Sequence, residues 1–179
     1  MAMSKLLLLA LILAAPGLAA QQIPAETSAY RPYKASLGIL ANPRVIGLQV
    51  EARLLRHFGV RAAGLQVFDA NQRQNEFSAG GLGLLTFYIP LKNQRLEPVL
   101  GLGGVYSLYH WDVGHHRGNL HDVNLGGGAG LNLRFSNNFR AGFNVLAANG
   151  FRADYVEGAM RVVGRRLLIM PALSLDVLL

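Results

Sequence analysis

Hydrophobic and polar residues alternate along most of this chain with a period of two, most cleanly from Val123 to Phe135. Its odd positions read Val, Leu, Gly, Ala, Leu, Leu, Phe, and its even positions Asn, Gly, Gly, Gly, Asn, Arg. A helix would scatter these residues around its circumference, whereas a strand gathers them into one apolar face and one small or polar face. Such a strand either turns its apolar face to a soluble core or turns it to lipid while the polar face lines a lumen.

The same alternation recurs along the chain. It predicts strands at Ala35 to Ala41, Ile46 to Arg56, Val60 to Asp69, Phe77 to Ile89, Glu97 to Trp111, Val123 to Phe135 and Phe139 to Ala148. A last strand falls within Ala159 to Leu179, strongest from Arg166, where Leu167, Ile169, Leu173, Leu175 and Val177 face lipid. Pro171 interrupts it and implies a bulge or a late strand start. Short turns are expected near residues 57–59, 90–95 and 136–138. Longer loops are expected near 70–76, 112–122 and 149–158, and Asn42-Pro43 is the one short turn on that side.

Eight strands whose connections alternate between short and long describe an all-β, eight-stranded antiparallel up-and-down transmembrane β-barrel. The aromatic residues point the same way. Phe68, Phe77, Tyr109, Trp111 and Phe151 lie beside the long loops, and Phe58, Phe87, Tyr88, Phe135 and Phe139 beside the short turns, as two interfacial girdles. Closure satisfies every backbone group in hydrocarbon, which an open sheet cannot do.

Ahead of the barrel, residues 1–20 read as a signal peptide: Lys5, then the apolar run Leu6 to Ala15, then Pro16-Gly17 and small residues, with cleavage after Ala19 or Ala20. Residues 21–34 form a polar periplasmic lead-in whose Tyr30 and Tyr33 suit an interface. Residues 35–179 are the barrel.

Of the 179 residues, 51% are hydrophobic and only 15% charged, an apolar balance for a soluble protein. The formal charge is +7, and falls to +6 once Lys5 leaves with the signal peptide. A basic surface suits phosphorylated glycolipid. The basic residues are scattered singly, so nucleic acid is not expected as a partner. Without cysteine there are no disulfides, thiolate metal sites or cysteine nucleophiles.

The glycine-spaced stretches GGLGLLTFYIP, VLGLGGVYSLYHW and VNLGGGAGLNLRF-SNN-FRAGFNV resemble the small outer-membrane β-barrel family, the eight-stranded class of the OmpA transmembrane domain and OmpX-like proteins. The resemblance covers residues 35–179. It implies an outer-membrane location, contact with outer-membrane lipid or lipopolysaccharide, and a monomer.

Within such a barrel Glu51, Arg53, Arg61, Glu97, Arg134, Arg140 and Asp176 fall on the polar parity of their strands. They are expected to fill the lumen as a paired network, the other reading being a gated pore or proton path. Gly101, Gly103, Gly126, Gly128 and Gly130 make room for those long side chains or, on the other reading, a lateral opening for lipid. His110, His115, His116 and His121 crowd one loop region as a candidate interaction site, a solvated and pH-sensitive loop rather than a transition-metal centre. Asp69, Asp112, Asp122, Asp154 and Glu157 sit at loop ends, where solvated carboxylates are the ordinary finding. Ser107 and His110 are three apart on a strand and so on opposite faces, which argues against a nucleophile and base.

The sequence assigns no catalytic residue, cofactor or metal. It describes a structural or surface-interaction protein that meets an extracellular ligand through its loops. The alternatives are a soluble periplasmic lipocalin-like barrel with its leucine-rich faces turned inwards around a small apolar ligand, a lipid A-modifying enzyme, and a narrow channel.

Overall fold

The computed structural model describes residues 31–68, 77–93, 95–113, 115–156 and 159–179. The signal segment, Tyr30, and the expected loop at 70–76 lie outside the described residues. Eight antiparallel strands close into a barrel: β1 (Ala35–Asn42), β2 (Val45–Arg53), β3 (Phe58–Val67), β4 (Phe77–Tyr88), β5 (Leu96–Val113), β6 (His116–Arg134), β7 (Phe139–Val156) and β8 (Ala159–Leu178). Each strand pairs with its chain neighbours, and β8 returns to β1 from Ser36↔Leu178 to Ala41↔Leu173.

The alternation sets which face goes where. Leu37, Leu48, Leu102, Leu125, Phe143 and Ile169 stand exposed on the outer wall, while Glu51, Arg61, Asn132, Arg140 and Asp176 are buried inside. This inversion of the soluble pattern is what a barrel wall in lipid requires. It overturns the lipocalin-like arrangement, whose leucine-rich faces would point inwards.

Short polar side chains shape the tight ends. Asn42 Oδ1 accepts from Arg44 N (2.8 Å) in the β1–β2 turn, and Ser136 Oγ accepts from Asn138 N (3.2 Å) and Phe139 N (3.0 Å) between β6 and β7.

The expected alternation of short turns and long loops does not hold. The residues expected in loops 112–122 and 149–158 are mostly strand: β5 and β6 pair up to Val113↔His116, and β7 and β8 up to Val156↔Ala159. Strand pairing satisfies backbone groups that a loop would leave to water. The wall is therefore lopsided, with β1 to β4 spanning 8 to 12 residues and β5 to β8 spanning 18 to 20.

Pro171 marks neither a bulge nor a strand start. It pairs with Val145 well inside β8, and the irregularity in that ladder lies between Arg152 and Ala153. The carbonyl of Pro171 faces β1, where it accepts from Asn42 Nδ2 at 3.0 Å. In a strand the N–H and C=O of one residue point to the same side. Its missing N–H therefore faces the region past Ala41↔Leu173, where the β1–β8 ladder has already ended, and no ladder bond is lost.

Candidate functional site

The seven charged residues picked out by strand parity converge in the half of the barrel nearest the turns at 54–57 and 135–138. Glu51 lies at their centre. Arg61 grips it through Nε (3.1 Å) and Nη2 (2.8 Å), and Arg140 Nη2 approaches the same carboxylate at 3.0 Å. Arg140 Nε donates to Asp176 (2.9 Å), whose second oxygen accepts from Gln49 Nε2 (2.6 Å). Glu97 faces Arg53 at 3.3 Å, Arg140 at 3.4 Å and Arg134 at 3.9 Å.

Four guanidinium groups thus meet three carboxylates, and Arg140, Glu51 and Asp176 have side chains no more than 1% exposed. Charges so far from water persist only when paired and hydrogen-bonded. Planar guanidinium forks suit this, because one group can serve several acceptors at once.

Tyr33, expected at an interface, is instead 8% exposed inside this network. Its hydroxyl accepts from Arg53 Nε (3.0 Å) and from Arg140, and it lies 3.2 Å from Glu97 and 3.3 Å from Glu51. The lead-in enters the barrel and is tied there, with Arg134 Nη2 donating to the Arg31 carbonyl at 2.8 Å. Tyr33 precedes the first strand, so no alternation signals its direction.

Tyr88, expected in a girdle, is also turned inwards, with the Arg53 guanidinium 3.3 Å above its ring. Here a signal existed, for Leu82, Leu84, Thr86 and Tyr88 share the buried parity of β4. Trp111 is likewise buried rather than interfacial, against Gly118, where an added Cβ would lie 2.9 Å from the indole.

The glycines make room for other neighbours than expected. A Cβ at Gly103 would lie 1.9 Å from the Gly83 carbonyl, at Gly126 2.5 Å from Val105, at Gly128 2.8 Å from Leu146, and at Gly101 3.1 Å from Leu84. Of the five glycines expected to make that room, only Gly130 adjoins a polar partner of the network, Asn144, whose Oδ1 receives Arg61 Nη1 at 3.1 Å.

The four histidines do not gather. His110 contacts Asn119 (2.7 Å) and stacks on Phe77 with ring centroids 5.3 Å apart, while His121 meets the Tyr106 hydroxyl at 2.6 Å. His115 stands exposed at the hairpin tip and His116 opens β6. Among the described residues no three His, Cys, Asp or Glu side chains are placed to hold a metal ion.

A closed eight-stranded antiparallel barrel, apolar outside and charged within, defines the class: its fold is that of the small outer-membrane β-barrels. The structure is similar to the N-terminal β-barrel domain of Pseudomonas aeruginosa OprF, with a TM-score of 0.61 at 12% identity, covering 81% of this chain and 96% of that one. It is also similar to Neisserial surface protein A, NspA (TM-score 0.58, 9% identity, 80% and 92% covered), and to Ail, the attachment invasion locus protein of Yersinia pestis (0.50, 11%, 80% and 92%). No protein-family model and no curated protein sequence matches the chain.

Proposed function

We propose that this chain is an integral outer-membrane barrel that acts as a monomeric structural or surface-interaction protein. The observation that carries the reading is the belt of exposed large hydrophobics around the closed wall, including Leu48, Leu102, Leu125, Ile169 and Leu173. So much contiguous apolar surface is untenable in water and matched to lipid. Outer-membrane lipid or lipopolysaccharide is the partner of that belt, and an extracellular ligand meets the ends of the tall β5–β6 and β7–β8 hairpins. The packed arginine–carboxylate network supports a filled lumen over a conducting one. Ser107 and His110, on opposite faces of β5, give an acyl hydrolase no nucleophile–base pair.

Because the chain lacks cysteine, single reporters test this directly. In intact cells His115→Cys at the hairpin tip is expected to react with a membrane-impermeant maleimide, and Asn138→Cys at the opposite end only after permeabilisation. Recovery of the protein in the soluble fraction, or the reverse labelling order, would contradict the reading.

A further inference from the structure

Beyond the charged plug the interior changes character. Leu65, Val67, Leu82, Val105, Leu146 and Leu168 wall a cavity of about 590 Å³ in the other half of the barrel. That volume lies within the ~300–1,000 Å³ of small-molecule sites. Apolar side chains line most of it, and Leu84 and Leu146 separate it from Arg61 and Asn144 of the charged network.

The wall beside this cavity is parted. The β6–β7 ladder runs only from Arg134↔Arg140 to Gly126↔Ala148, although β6 starts at His116 and β7 continues to Val156. The parting begins inside the apolar belt. Leu125 and Val123, next along β6, are 78% and 72% exposed, more than any other large hydrophobic residue described. An opening at that level faces acyl chains rather than water.

Two arginines of β8 mark the site. Arg165 spans the parting to β6, with Nη1 and Nη2 on the two oxygens of Asp122 (2.9 and 3.0 Å) and Nη1 on Asn124 Oδ1 (2.6 Å). This latches the two tall hairpins together across the gap, at Asp122 and Asn124 of its β6 edge. Arg166 pairs with Gly150, lines the cavity, and has no carboxylate partner among the described residues.

We propose that the cavity is a binding site for one fatty acyl chain bearing an anionic head group. The chain enters sideways between β6 and β7, with its tail against the inward leucines and its head at Arg166. This rests on the membrane reading above. The chemistry is shared by a free fatty acid and an anionic phospholipid, and the test separates them.

The full mature protein in phosphatidylcholine nanodiscs is irradiated with a diazirine-bearing palmitic acid or, separately, a diazirine-bearing phosphatidylglycerol, and the adducts are mapped. Adducts on inward-facing Leu82, Val105 or Leu146 are expected from at least one probe, and which probe gives them identifies the source. Ala148→Trp, at the inner edge of the parting, is expected to abolish them. Arg166→Gln, an exposed change that leaves the packing intact, is expected to reduce them about tenfold through loss of one charge-assisted contact. Labelling of outward Leu173 is expected to persist in both variants. Adducts confined to outward residues, or inward adducts unmoved by both substitutions, would overturn the site alone. Absence of labelling on Leu173 as well would overturn the membrane reading beneath it.

Discussion

Arg140 and Glu51, 89 residues apart in the chain, meet across the lumen at 3.0 Å with both side chains sealed from solvent. Removing one partner of such a pair strands the other charge. Arg140→Met is expected to lower stability by about 3–5 kcal/mol, read as a lower urea midpoint for loss of the folded species in detergent. Because Glu51 and Arg140 share the network, Glu51→Gln together with Arg140→Met is expected to cost less than the sum of the single changes.

Tyr33 ties the lead-in to that network. Tyr33→Phe keeps the ring but removes the hydroxyl that receives Arg53 and Arg140, leaving buried donors short of a partner at a cost of about 1–3 kcal/mol. Tyr106→Phe, which loses a hydrogen bond to exposed His121, is expected to stay within about 0.5 kcal/mol of the parent. The same urea series measures both.

Adjacent glycines of β5 should behave oppositely. A Cβ on Gly103 would lie 1.9 Å from the Gly83 carbonyl, whereas one on Gly104 meets nothing within 4 Å. Gly103→Ala is expected to destabilise by about 1–3 kcal/mol, since a backbone atom must move. Gly104→Ala is expected to be neutral or to stabilise by up to about 1 kcal/mol, through a less flexible unfolded chain.

Much of this architecture is legible in the sequence because period-two patterning is strict wherever one face meets lipid and the other a lumen. Ile46, Leu48 and Val50 against Gln49 and Glu51, or Phe139 and Phe143 against Arg140 and Asn144, fix both strand and facing. Those parities bring together the seven charged residues of the lumen, although they carry no information on which arginine meets which carboxylate. The tall hairpins were less legible. Polar residues fall on both faces of segments 112–122 and 149–158, so composition suggests loops, while what holds the first as strand is cross-strand pairing such as Trp111 on Gly118 and His110 on Asn119. Tyr33 was illegible for a different reason: its place is set by distant partners rather than by any local period.

Mobility on an electrophoresis gel, with and without boiling, tests the membrane barrel most directly. The mature protein extracted in detergent is expected to run as a compact, β-rich species that shifts only on boiling, and to precipitate when detergent is withdrawn. A protein that stays soluble without detergent and shows no shift would contradict the lipid-facing assignment of Leu48, Leu102 and Leu125, and with it the account of the fold's function.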